Sequence, residues 1–179
     1  MKRHTFYHNP DIEQYKEKYK MELGYGMSST TYTPDIHLLI KNLKPESILD
    51  YGCGNSGLVD RLKEVYPEID FVRYDPALKK YNKLPIRIFD LVVCLDVLEH
   101  IKEEYLYSLL QYLSNISINA FFAVSLAEAY HRLPNGENCH PTLFSSNKWE
   151  EILEQYFDYV VSYDAAKNLS IFMVKNKEL

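Results

Sequence analysis

Three side chains with chemistry to offer stand close together in the segment Leu95-Asp96-Val97-Leu98-Glu99-His100. If this stretch leads into a helix, Asp96, Glu99 and His100 occupy positions i, i+3 and i+4 and share one face, with neighbouring Cβ atoms about 5–6 Å apart. Two carboxylates that close repel one another, the more so where water is excluded. A protonated His100 or a divalent cation would compensate. A mixed oxygen and imidazole set suits Mg²⁺, Mn²⁺ or Zn²⁺, and His140, in the polar stretch 127–146, offers a fourth ligand. Without a metal, His100 or His140 can serve as a general base, or the pair Glu99-His100 can be structural. These readings stay open on the residues alone. The stretch 127–146 runs for 20 residues without periodicity, longer than the ~12–15 residues beyond which a connection is usually functional or disordered. Tyr130, His131, Arg132, Asn138 and His140 make it a candidate substrate-facing loop.

A second cluster combines glycine and acid. The chain has only 6 glycines, yet three of them form Gly52-Cys53-Gly54-Asn55-Ser56-Gly57. This is a G-x-G-x-x-G run, in which missing side chains let the backbone approach a ligand closely. Asp50, just before it, is poorly suited to a pyrophosphate and well suited to an ammonium group. Asp75 follows 25 residues after Asp50, where a carboxylate can accept both hydroxyls of a ribose.

The elements that must position these residues alternate. Residues 11–23 carry Ile12, Tyr15, Tyr19 and Leu23 at helical spacing, and Gly24 and Gly26 end that helix. Pro34 fits the first turn of a second helix, continued by His37 to Leu43. Strands are expected at 47–51, 69–74, 89–96 and 120–126, and helices from the stripes Leu58/Leu62/Val65, Tyr105 to Leu113 and Trp149 to Phe157. Tyr159 to Tyr163 and Ser170 to Val174 read as a closing antiparallel hairpin. The fold class is therefore α/β, a mostly parallel doubly wound (Rossmann-like) sheet flanked by helices. Ligands in such sheets bind at the carboxyl ends of the strands.

Composition narrows the classes of function. A chain of 179 residues with 46% hydrophobic and 25% charged residues fits one globular domain. With 20 Lys+Arg against 25 Asp+Glu, the net charge of −5 provides no global field for a polyanion, so nucleic acid is an improbable partner on this count. The longest apolar runs fall far short of the ~20 residues that span a bilayer, and the first ten residues are polar and lack a hydrophobic signal region. Three scattered cysteines, Cys53, Cys94 and Cys139, form neither a disulfide framework nor a paired zinc spacing. The expectation is a reduced, cytoplasmic protein with no membrane partner. Five tyrosines, Tyr7, Tyr15, Tyr19, Tyr25 and Tyr32, crowd the first 32 residues. Residues 1–33 are expected to form a helical extension of the same domain, a lid over the cleft in which Tyr25 touches the ligand.

The segments ILDYGCGNSG, FVRYDP and FDLVVCLDVLEHI, in this order and spacing, resemble the class I S-adenosylmethionine-dependent methyltransferases, and the resemblance covers residues 34–175. It implies a methyltransferase-like domain over 34–179 and S-adenosylmethionine as cofactor. It also implies that Asp50, Gly52 and Gly54 line the methionine end, that Asp75 holds the ribose and that Pro76 borders the adenine. Leu95 and Asp96 would flank the sulfonium. One departure is plain: only 14 residues separate Asp75 from Asp90, too few for the family's third strand and its helix, so 76–87 is expected to be a loop. The set Asp96, Glu99, His100 and His140 is similar to the Glu-x-x-Glu-His and later histidine of metal-bearing branches, the small-RNA 2′-O-methyltransferases and the ubiquinone-pathway O-methyltransferases. The leading reading is methyl transfer to a small-molecule acceptor, with O-methylation favoured by the histidines. The rivals are a non-catalytic module of the same fold, an RNA 2′-O-methyltransferase and a nicotinamide-dependent oxidoreductase.

Overall fold

Alternation along each strand decides where the layers lie. In β3 (Phe89–Leu95), Leu91, Val93 and Leu95 pack on one face of the sheet and Val92 and Cys94 on the other. Both sets are apolar because both faces are covered. One face carries α2 (Thr33–Leu43) and α3 (Leu58–Val65), through Ile36, Ile40, Leu58, Val59 and Leu62. The opposite face carries α4 (Glu103–Ile116) and α5 (Ser146–Leu153), through Leu106, Leu109, Leu110, Leu113, Trp149 and Leu153. The computed structural model describes residues 11–176; Tyr7 and the rest of the first ten residues lie outside the described residues.

The sheet has six strands in the order β2-β1-β3-β4-β6-β5. β1 (Ser47–Tyr51), β2 (Asp70–Tyr74), β3 and β4 (Ser117–Ser125) run parallel. β6 (Leu169–Lys175) is antiparallel to both β4 and β5 (Tyr159–Ala166). This is the mixed α/β architecture expected, with the antiparallel pair at the carboxyl end of the chain. Between Tyr74 and Phe89 the chain forms turns and no strand, so β2 is the sheet edge. The loop is tied down locally: Arg73 Nη1 donates to Tyr81 Oη at 2.7 Å, and Tyr112 Oη donates to the Pro85 carbonyl at 2.5 Å.

Some local readings need correction. The first helix, α1 (Ile12–Met21), stops short of Leu23, which is fully exposed and lies outside the apolar stripe. The stripe of α3 is Leu58, Val59 and Leu62; Val65, at its last position, is more than half exposed. β4 begins at Ser117, three residues before its uninterrupted apolar run, because Ser117 Oγ donates to the Leu113 carbonyl and Asn176 Nδ2 donates to the Ser117 carbonyl. Polar residues could open a buried strand because each found a backbone partner. Among the described residues, no helix is long and apolar enough to cross a membrane.

Candidate functional site

The carboxyl ends of β1, β2 and β3 meet below one cavity of about 450 Å³, within the ~300–1,000 Å³ usual for small-molecule sites. The turn after β1 folds over the end of β2, since the amides of Gly52 and Cys53 both donate to the Tyr74 carbonyl, at 2.7 and 3.1 Å. Gly52 and Gly54 need to be glycine, with φ of 76° and 53°. A Cβ on Gly52 would strike Val97, and one on Gly54 the Gly26 carbonyl. Gly57 meets no such demand: it precedes α3 with φ −87° and open space around it.

Asp75 closes β2 and is buried. Its Oδ2 accepts from Gly54 N at 3.1 Å and Tyr19 Oη at 3.0 Å, and Oδ1 accepts from Ala77 N at 2.8 Å. Burial raises its pKa, and these donors oppose the rise. Asp75, Pro76, Gly52, Leu95, Asp96, Glu99, His100 and His140 all line the cavity. Asp50 and Gly54 do not. Gly54 is turned toward the strap at Gly26. Asp50 lies beneath the glycine turn, 2% exposed, with Oδ2 lacking a hydrogen-bond partner. Burial pushes its carboxyl up to about 7, opposed by Arg73 and aided by Asp75.

The sign of that shift makes a prediction. Asp50 is protonated in the fold and ionised in the unfolded chain between its ordinary value of 3.8 and about 7. Its contribution to stability is therefore complete below the unfolded value and is lost as pH rises through the folded one. Asp50→Asn should melt higher than the parent at pH 8, by the equivalent of a few kcal/mol, and the difference should shrink toward pH 5. Thermal melts of both proteins across that range check it; a parallel pair of curves would overturn it.

The acid and histidine cluster has a different geometry from the expected helical face. The chain leaves β3 with Asp96 at φ 53° and then makes a short 3₁₀ turn, Leu98–His100. Glu99, His100 and His140 come together, with one ligand atom of each within 4.8 Å of the others. Asp96 is not in that group, because the left-handed turn breaks the i, i+3, i+4 face. Its Oδ1 instead accepts from Tyr32 Oη at 2.8 Å. Glu99 is fully buried; Oε1 accepts from Ser125 N at 2.8 Å and Oε2 has no hydrogen-bond partner. Burial, and then Asp96, push its carboxyl up to about 8. His100 is pulled down to about 3 by burial and by His140, against a hydrogen bond to the Cys139 carbonyl. His140 Nδ1 lies 2.6 Å from the Ala127 carbonyl. A carbonyl only accepts, so Nδ1 carries a proton, and in the neutral imidazole Nε2 is the acceptor.

Above the cavity lie α1 and the strap 22–32. Tyr15, Tyr19, Tyr25, Gly26 and Ser29 line it. α1 is fastened to the long loop after β4: Lys18 Nζ donates to the Arg132 carbonyl at 2.7 Å, Asn135 N to Gln14 Oε1 at 3.0 Å, and Tyr15 Oη to the Cys139 carbonyl at 3.1 Å. His131 Nδ1 is 3.0 Å from Glu22 Oε2. The loop is thus a wall tied to α1 through several of its backbone groups. All three cysteines are free and buried, and burial raises the thiol pKa of each, so none is an activated nucleophile. The contacts of Tyr32, Val97 and Ser125 were beyond reach of the motifs, because each follows from chain reversals that carry no spacing rule.

Residues 28–162 match the family model of the methyltransferase domain. The chain belongs to the S-adenosylmethionine-dependent methyltransferases. The match begins within the strap, at residue 28, so α1 lies outside it. No curated protein matches the sequence. Among solved structures, the methyltransferase is similar in fold to the N-methyltransferase NodS of Bradyrhizobium japonicum WM9 in complex with S-adenosyl-L-homocysteine, at 12% identity and a TM-score of 0.61. That match covers 94% of this chain and 100% of that one. It is similar to an O-methyltransferase family protein of Burkholderia thailandensis, with 7% identity, TM-score 0.59 and coverage of 83% and 58%. Human N-acetylserotonin methyltransferase in complex with S-adenosylmethionine gives 12%, 0.60, 96% and 57%. The chain thus spans little more than half the length of the latter two.

Proposed function

We propose that the protein moves a methyl group from S-adenosylmethionine to a hydroxyl of a small acceptor, inside the cavity that residues 12–32 cover as a lid. The observation that carries this is the placement of two unlike sites on one cavity: the Gly52–Gly54 turn with Asp75, and the Glu99–His100–His140 cluster. Bound there, S-adenosylmethionine supplies a methyl already activated on sulfur. Asp75 accepts the ribose hydroxyls, Gly52 brings backbone against the methionine end, Pro76 borders the adenine, and Leu95 and Asp96 flank the sulfonium. Asp50, sealed below the turn, supports the glycine loop rather than touching the ligand. The bare nitrogen of His140 or His100 takes the acceptor's hydroxyl proton as the C–O bond forms and the C–S bond breaks. S-adenosylhomocysteine and the protonated histidine remain. Tyr25 and the strap that carries it exclude water and hold the reactants in line.

Charge selects the acceptor. Among the described residues that line the cavity there are three carboxylates and three histidines, and no lysine or arginine. Such a lining disfavours a phosphate chain and fits a neutral or cationic small molecule, which sets the RNA reading below the small-molecule one. The test is transfer of labelled methyl to a panel of hydroxylated and amino metabolites, with S-adenosylhomocysteine binding measured alongside. Product on hydroxyl acceptors is expected. Absence of binding at high micromolar ligand would overturn the reading in favour of a non-catalytic module.

A metal-assisted form of the same reaction is favoured by one observation: a carboxyl oxygen of Glu99 and a ring nitrogen of each of His100 and His140 lie within 4.8 Å of one another, and the buried Glu99 Oε2 has no hydrogen-bond partner. Glu99, His100 and His140 would hold Mg²⁺, Mn²⁺ or Zn²⁺, which lowers the pKa of a bound hydroxyl. The Ala127 and Cys139 carbonyls fix the imidazole protons, as outer partners of ligating histidines do. Asp96 is left out of this set. Manganese is then expected to raise the melting temperature of the parent and leave that of His140→Ala unchanged. Activity that survives thorough chelation would remove the metal from the mechanism.

A further inference from the structure

The carboxylate assigned to the ribose is already mostly occupied. An ionised carboxylate offers about four acceptor positions. At Asp75 three of these are met, by Gly54 N, Ala77 N and Tyr19 Oη, while the Leu78 amide donates to the main-chain carbonyl of Asp75. Two of the donors are backbone amides in or beside the nucleotide-binding turns. Only the third is a side chain, and it comes from α1, outside the segment that matches the family.

We propose that Tyr19 stands in for a ribose hydroxyl on Asp75 and gates the cofactor site, so that S-adenosylmethionine enters by displacing it together with α1. The proposal rests on the reading that Asp75 binds the ribose.

Packing explains why α1 has to move with its tyrosine. The Tyr19 ring lies against Gly26, where a Cβ would come within 2.7 Å of Tyr19 Cε1. It also meets the Tyr25 ring edge-on at 5.2 Å between centroids. The Gly26 carbonyl in turn sits over Gly54. The phenol is wedged between strap and glycine turn and has no room to swing aside alone. One helical turn earlier, on the same face, Tyr15 Oη bonds the Cys139 carbonyl at 3.1 Å and the His100 carbonyl at 3.2 Å. α1 therefore puts one hydroxyl on the cofactor acid and another on the acceptor cluster. When Tyr19 leaves Asp75, the cover over His100 loosens with it, which places cofactor loading ahead of acceptor entry.

Tyr19→Phe keeps the ring and deletes the competing hydroxyl. By calorimetry it is expected to bind S-adenosylhomocysteine roughly tenfold more tightly than the parent, the order of one charge-assisted hydrogen bond. In the parent, S-adenosylhomocysteine is expected to speed amide hydrogen exchange across residues 12–21, a measurement that needs no variant. Equal or weaker affinity in Tyr19→Phe, or slowed exchange in α1 on binding, overturns the gate and leaves the cofactor site standing. A parent that does not bind S-adenosylhomocysteine overturns both the gate and the proposed function on which it rests.

Discussion

Asp75→Ala is expected to bind S-adenosylhomocysteine at least a hundredfold more weakly than the parent. Two ribose hydroxyls bonded to one carboxylate are worth about 1.5–3 kcal/mol each as charge-assisted bonds, and every 1.4 kcal/mol is about tenfold in affinity. The variant removes more than the ligand contact. Gly54 N and Ala77 N lose their acceptor, and both lie where water has poor access, at a cost of about 1–3 kcal/mol for a buried donor left unpaired. A lower melting temperature with retained circular dichroism is therefore part of the expected result. Asp75→Asn separates the two effects. Its amide oxygen can still accept from Gly54 or Ala77, so it should recover much of the stability but little of the affinity. Calorimetry and thermal melts on the three proteins check this, and unchanged affinity in Asp75→Ala would remove S-adenosylmethionine from this end of the cavity.

The features legible in the sequence are those in which local pattern and tertiary environment agree. Leu91 to Leu95 reads as a strand buried on both faces because alternate residues face two different helical layers, each apolar. The 14 residues between Asp75 and Asp90 are too few for another strand and helix, and the sheet indeed ends at β2. What could not be read depends on backbone conformation at single residues. Asp96, Glu99 and His100 have helical spacing, yet a positive φ at Asp96 sends its carboxylate to Tyr32 and leaves Glu99 and His100 to meet His140. Nothing in the residue types announces that turn. Asp50 shows the same limit from the other side. Its place at the end of β1 was legible, but whether its side chain points into the cavity or under the turn depends on the strand's face, and the Gly52 and Cys53 amides bonded to Tyr74 close the turn above it. The tyrosines of α1 stand at i and i+4, which marks them as neighbours. Their partners, Asp75 and the Cys139 carbonyl, are 56 and 124 residues away, beyond any local rule.

His140→Ala should abolish most of the methyl transfer while leaving the cofactor end untouched. His140 Nδ1 is pinned to the Ala127 carbonyl at 2.6 Å, so the imidazole presents Nε2 in a fixed orientation beside His100, 4.6 Å away between ring centroids. His100, held near a pKa of about 3 by burial, is neutral at working pH but too weak a base to carry much of a proton transfer alone. The load falls on His140. Positioned general bases contribute about 10²–10⁴-fold, and the fall in kcat should lie in that range, with the affinity for S-adenosylhomocysteine unchanged because His140 is bonded to the Ala127 carbonyl and Asn138 and to neither Asp75 nor Gly52. The same variant distinguishes base from ligand. If His140 acts by taking the proton, the residual rate should climb with pH as solvent hydroxide takes over, and added manganese should not restore it. If it acts as a ligand, the parent should lose activity on chelation and regain it with manganese, and His140→Ala should need far more metal for any activity. A His140→Ala protein with unaltered kcat would take the cluster out of the chemistry and turn the search for the proton acceptor toward the acceptor molecule itself.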